Sequence, residues 1–224
     1  MCGRFALSAK TKDIEKLVPS LRINEDLKPR YNIAPTQQIA TVLNNSPQEL
    51  TFVRWGLIPF WAKDKSIGIK LINARAESLN EKPAFKYSFK NRRCLIFADG
   101  FYEWKLSSGK RKSPYFIRLR SGEPFTFAGL WDVWFDSETE RKITSATIIT
   151  TEPNEFMKEI HNRMPVILPN TERKLWLDSD FKDLDYLRSI LLPYPPEEME
   201  CYETSLRVNN TNYDDELCIE PINN

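Results

Sequence analysis

The run Cys94-Leu95-Ile96-Phe97-Ala98-Asp99-Gly100-Phe101-Tyr102-Glu103-Trp104 constrains this chain more than any other stretch. Its aliphatic and aromatic residues suit an extended strand buried over most of its length. Two carboxylates, Asp99 and Glu103, sit inside that apolar setting. Strand-like runs recur along the chain at residues 4–7, 38–43, 50–54, 115–119, 125–134, 143–150, 166–168 and 199–204. The helical signals between them are short. Ser8 is placed to cap a helix to about Val18, which Pro19 ends, and residues 83–90 hold one or two turns. Thr151 is placed to cap a helix to about Ile160, Thr171 another, and residues 181–192 a further one that Pro193 stops. No repeat, low-complexity block or shift in composition marks a linker. The expectation is an α+β fold in a single domain over residues 1–224: a β-rich, barrel-like mixed sheet flanked by short helices, with an acidic tail from about residue 197 packed on it.

Composition narrows the class. Hydrophobic residues at 41% and aromatics at 12% fit a soluble globular protein. No apolar run approaches membrane-spanning length, and Arg4, Lys10, Lys12 and Asp13 interrupt any signal peptide, so a cytoplasmic location is expected. Cys2, Cys94, Cys201 and Cys218 are widely separated, which gives neither metal-ligand spacing nor a disulfide framework. With one histidine in the chain, no metal site is expected. The net charge of +1 conceals a split: residues 1–120 carry 23 basic against 10 acidic side chains, and residues 121–224 carry 9 against 21. Either a basic face awaits a polyanion, or the two halves intermix as solvated surface.

Candidate chemistry begins at Met1-Cys2-Gly3-Arg4-Phe5. Cysteine is small enough to permit removal of Met1, and the chain would then start with a 1,2-aminothiol. Its amine, with a pKa of roughly 7.7–8.0, condenses with aldehydes. Its thiol, at about 8.5, needs modest help from positive charge to ionise, which Arg4 is near enough in sequence to give. Glu103, among aromatic neighbours, is either desolvated and fit to shuttle protons or turned to solvent and an arginine. His161, at a helix-to-strand turn, titrates in the useful range. Asn73 and Arg75, two apart in a loop, would point the same way if extended, as an oxyanion or phosphate site requires. Trp55, Phe60 and Trp61 are either core or a stacking surface for exposed bases.

These stretches, together with Arg30-Tyr31-Asn32-Ile33-Ala34-Pro35-Thr36, Arg54-Trp55-Gly56-Leu57-Ile58-Pro59, Asn73-Ala74-Arg75-Ala76-Glu77, His161-Asn162-Arg163-Met164-Pro165-Val166 and Val208-Asn209-Asn210, resemble the SRAP family in order along nearly the whole chain. Phe97 departs from the proline usual before Ala-Asp-Gly in that family. The resemblance implies a sensor and shield of abasic sites in single-stranded DNA. In it, Cys2 forms a thiazolidine crosslink with the ring-opened sugar, Glu103 assists ring opening and proton transfer, and His161 is the second acid–base group. Asn73 then holds the aldehyde-derived oxygen or the Cys2 amine, Arg4, Arg75 and Arg163 clamp phosphates, and Trp61 wedges or stacks at the lesion. It implies no cofactor, a monomer, a partner that includes single-strand/duplex junctions, and association with the nucleoid at damaged DNA. Two other readings stay open: a cysteine-type autopeptidase using the same residues, and a non-covalent single-strand-binding module.

Overall fold

The computed structural model describes residues 2–24, 26–106 and 112–222, and in it the apolar run at 94–104 is broken in two at Asp99. The strands among these residues are β1 (Phe5–Leu7), β2 (Arg30–Ile33), β3 (Gln38–Leu43), β4 (Ser46–Trp55), β5 (Asn73–Arg75) and β6 (Arg93–Ala98) in the first part of the chain. They continue as β7 (Gly100–Leu106), β8 (Lys112–Leu119), β9 (Phe125–Asp136), β10 (Arg141–Thr151), β11 (Met164–Pro165) and β12 (Met199–Glu203). The α-helices are α1 (Thr11–Glu15), α2 (Pro83–Asn91), α3 (Glu155–Lys158), α4 (Asn170–Leu177) and α5 (Leu184–Ser189). Among the described residues no helix is long and apolar enough to cross a membrane.

β10, β4, β3, β6 and β9 pair in that order, and β9 returns to β10, which closes a mixed barrel. The β10–β4 pairing is parallel and the rest of the ring is antiparallel. β5 and β11 extend β10 beyond the ring. The second sheet, in the order β12-β8-β7-β1-β2, is antiparallel throughout. β6 thus belongs to the barrel and β7 to the second sheet. Asp99 fixes the corner between them, its Oδ2 accepting from Ser8 Oγ and Ala9 N, each at 2.8 Å, and from Ser8 N.

The two sheets share a core. Phe5 of β1 meets Trp55 at 5.1 Å and Phe127 at 5.9 Å, edge to face, and Phe101 of β7 meets Phe127 at 6.1 Å. Each such buried ring contributes about 1.5–3 kcal/mol through area alone. On the opposite face of β1 and β7, Ala6 and Tyr102 pack with Phe116 and Val208 in a second cluster. The two central strands are therefore covered on both sides. Arg93, fully buried, donates to the carbonyls of Phe89, Lys90, Trp176, Asp178 and Phe181, which joins the C-terminal ends of α2 and α4.

The predicted single β-rich, barrel-like α+β fold matches this architecture, while several local boundaries differ. Ser8 serves Asp99, so α1 starts only at Thr11, with Lys10 at its N-cap and no side-chain cap. Thr151 stays in β10, paired with Met164, and Asn154 caps α3 by accepting from Met157 N at 2.8 Å. α4 begins at Asn170 behind Pro169, one residue before the expected Thr171 cap. α5 is shorter than expected because Asp183 caps it, accepting from Asp185 N and Tyr186 N. The strand expected at 166–168 lies at Met164–Pro165, followed by an isolated bridge from Ile167 to Phe127. The C-terminal segment does more than rest on the surface, since β12 forms an edge of the second sheet and residues beyond it strap β1 and β2. Asp214 accepts from Tyr31 N and from Asn32 N (2.9 Å), and it pairs with Arg30.

Candidate active site

The pairing of β1 with β7 carries the chain start to Glu103. Phe5 is in register with Phe101, and one step back Tyr102 N donates to Arg4 O at 2.9 Å. Cys2 is wholly buried. Its carbonyl accepts from Asn73 Nδ2 at 2.8 Å. Asn73 comes from the other sheet, where β5 lies parallel to β10 with Asn73 in register with Ile148. The site therefore straddles the seam between the two sheets.

Glu103 is 3% exposed, which settles its placement in favour of the desolvated alternative. Burial pushes its carboxyl above the ordinary carboxylate range. His161 follows α3, and its Nε2 stands 3.9 Å from Glu103 Oε2. Arg163 N donates to His161 Nδ1 at 3.1 Å. Nδ1 is thus an acceptor, so a neutral imidazole carries its proton on Nε2, toward Glu103. Burial also lowers the His161 pKa, which favours that neutral form.

The Cys2 thiol differs from expectation. Burial pushes it up, and the negative charge of Glu103 adds to the rise. The Arg4 guanidinium does not lower it, because its Nη1 donates to Asn32 Oδ1 at 2.7 Å and to Val208 O at 2.6 Å; of Arg4, only the backbone acts in that direction, and burial outweighs it. The thiol donates to Arg4 O over a long 3.8 Å. The cluster holds a protonated thiol, a neutral imidazole and a carboxyl that retains its proton readily. Such a set relays protons rather than storing a thiolate.

Around this centre, Arg163 makes a bidentate pair with Glu77 at 2.7 and 2.9 Å and reaches Thr150 O at 2.6 Å. Arg75 lies on β5 rather than in a loop, is exposed, and makes no ion pair among the described residues. Trp61 is 48% exposed and borders a hollow of about 270 Å³ with Lys63, Asp64, Ser66 and Lys70. Trp55, a stacking candidate by sequence, is fully buried, and its Nε1 donates to Ile72 O at 3.0 Å. Cys2, Asn73, Glu103 and His161 are brought together, with Arg163 beside them, while Arg4 is turned toward the C-terminal strap. Glu77 and Asn32 escaped the reading of the sequence. Glu77 had only its opposite charge near two arginines as a signal, and Asn32 had none, because its side chain is held by Arg4 and by carbonyls at 208–213, all remote in sequence. Among the described residues no group of three or more His, Cys, Asp and Glu is placed to hold a metal ion.

Comparison with known proteins agrees along the chain. The family described as SOS response associated peptidase (SRAP) matches residues 1–211. The abasic site processing protein YoaM of Bacillus subtilis is 47% identical over 216 residues, which cover 94% of this chain and 93% of that protein. The abasic site processing protein HMCES of Xenopus tropicalis is 29% identical, with 99% and 78% covered. A crystal structure of a protein from Bacteroides thetaiotaomicron superposes with a TM-score of 0.82 at 26% identity, over 98% of this chain and 99% of that one. Order of motifs, architecture and extent of match all lead to one assignment: the chain belongs to the SRAP family.

Proposed function

We propose that this protein processes abasic sites in single-stranded DNA by linking them covalently to Cys2 once Met1 has been removed. The observation that carries the proposal is the gathering around Cys2 of Asn73 and Glu103, one from each sheet, with His161 facing Glu103 from the turn after α3. The names of the relatives, abasic site processing proteins, support the substrate.

The ring-opened sugar presents an aldehyde at C1′. The Cys2 amine adds to it and water leaves, giving an imine. The thiol then adds across the C=N bond: sulfur bonds to carbon, the thiol proton ends on nitrogen, and a thiazolidine closes. A site closed to solvent favours the step that expels water. Glu103, holding its proton readily, donates to the sugar ring oxygen on opening and to the departing hydroxyl. His161, protonated at Nε2 beside it, relays the proton. Asn73 Nδ2 fixes the Cys2 carbonyl, and its buried Oδ1, which has no hydrogen-bond partner among the described residues, is available to the freed amine. Arg75 meets a phosphate from the solvent side, Arg163 does so by exchanging part of its contact with Glu77, and Trp61 stacks at the lesion. Arg4 acts from behind Cys2.

The test is a denaturing gel of the protein with single-stranded DNA bearing one abasic site, after intact mass has established loss of Met1. A covalent band is expected that is absent with intact DNA and lost in Cys2→Ala. Glu103→Gln should slow its formation by about 100-fold or more. A wild-type protein that gives no band, or a band that persists in Cys2→Ala, sinks the proposal. A complex seen only under native conditions would favour plain single-strand binding, and release of peptide fragments would favour a peptidase.

A further inference from the structure

Two exposed aromatic rings lie along the barrel from Cys2. Phe60 and Tyr87 are 52% and 46% exposed, and their ring centroids stand 5.4 Å apart, edge to face. Rings so open to solvent are ordinarily loosely held, yet these share an anchor. Phe60 N donates to Asp132 Oδ2 at 3.0 Å, and Asp132 Oδ1 pairs with Arg92 Nη1. The Arg92 guanidinium in turn covers the Tyr87 ring at 5.0 Å. Asp132 is 1% exposed, so a buried carboxylate is committed to fixing the supports of both rings.

The surroundings are basic. Residues 60–93 carry nine lysines and arginines against three acidic side chains. Lys86 and Lys90, one turn apart on α2, are exposed on the face that carries Tyr87. The position is also in line with the site. Asp132 is in register with Ser145, Gly129 with Ile148, and Ile148 with Asn73. Three strand residues, about 10 Å, separate the two levels. A DNA strand held at Cys2 reaches that level within a few nucleotides.

We infer that Phe60 and Tyr87 form a stacking platform for undamaged bases flanking the lesion, with Lys86 and Lys90 holding the adjacent phosphates. The inference rests on the proposed action on single-stranded DNA and adds a second contact region, distinct from Trp61. Bases of any identity stack on such rings, so the platform gives affinity without sequence preference. A folded protein that must accept a lesion in any context needs that property.

The test uses intact single-stranded DNA containing a fluorescent adenine analogue, titrated with the full-length protein. Wild-type protein should quench the analogue. Phe60→Ala and Tyr87→Ala should each weaken binding about five-fold or more and reduce quenching, with melting temperatures held. Phe60→Trp should restore both signals. Lys86→Ala and Lys90→Ala should each lower the slope of log affinity against log salt by about one, while the ring variants leave it unchanged. A folded Phe60→Ala/Tyr87→Ala double variant with wild-type affinity and quenching overturns the platform and leaves the patch to a protein partner or to none. The DNA contains no lesion, so failure of covalent linking in the wild type does not affect this readout, and the two ideas fail separately.

Discussion

At the scale of single residues, Glu103 shows a conflict between function and stability. Its ordinary pKa is 4.5, and burial raises it in the folded state. Below 4.5 the carboxyl is protonated whether the chain is folded or not, so it costs nothing. As pH climbs through the raised folded value, the unfolded chain has already released the proton, and the folded one must keep it or bury a charge. Stability present in acid is therefore lost toward neutral and alkaline pH. Glu103→Gln should melt with the wild type near pH ~4 and above it at pH ~8, with the gap widening between, as thermal unfolding at several pH values would show. A gap that stays constant with pH would mean the carboxyl titrates normally. The expected variant is more stable than the parent and chemically impaired, as often occurs where a site is held under strain.

At the scale of elements, the corner between β6 and β7 decides how the site is built. A Cβ on Gly100 would come within 2.0 Å of the Phe116 ring. Gly100→Ala should cost about 1–3 kcal/mol through overpacking, read as a lower urea midpoint with an unchanged slope. An unshifted midpoint would mean that Phe116 swings aside freely. The same corner shows what the sequence could and could not convey. Apolar residues dominate from Cys94 to Trp104 on both sides of Asp99-Gly100, so the sequence reads as one long strand. What breaks it is Asp99 bonding to Ser8 and Ala9, some 90 residues earlier in the chain. Ser8 and Thr151 have good cap chemistry, and tertiary partners claimed both. The strands with dense β-branched or aromatic content, β9 and β10 above all, were legible because their own residues determine them. At the site, the aminothiol and the acid–base candidates could be named from chemistry and family likeness. The burial of Glu103 could not, because Cys2, Asn73 and His161 approach it only through pairings between distant strands.

At the scale of the whole molecule, the C-terminal strap links the two ends of the chain behind the site. Asn32 is fully buried, accepts from Arg4, and donates to the carbonyls of Val208, Asn210 and Tyr213 at 2.7–3.2 Å. Asn32→Ala should destabilise the fold by about 2–4 kcal/mol, because the half-buried Arg4 guanidinium and several carbonyls lose a partner together. Chemical denaturation measures this, and a loss below about 0.5 kcal/mol would show the strap to be dispensable. Ion pairs between the two halves explain part of the charge split. Arg30 with Asp214, Arg118 with Glu200, Lys65 with Asp136 and Arg92 with Asp132 all pair a basic residue of the first half with an acidic one of the second. These four pairs neutralise part of the split. Among the described residues, the basic side chains in no ion pair include Arg75 and, on α2, Lys86 and Lys90.

The placement of β1 has a consequence for when the protein becomes competent. An aminopeptidase must draw the first few residues into its own cleft as free chain. Here those residues lead into a strand bonded to a neighbour on either edge, and the second residue is sealed from solvent. For the proposed chemistry, removal of the initiator methionine would therefore have to precede the docking of β1 between β2 and β7. A copy that folded first would keep its methionine and stay, for that chemistry, unarmed.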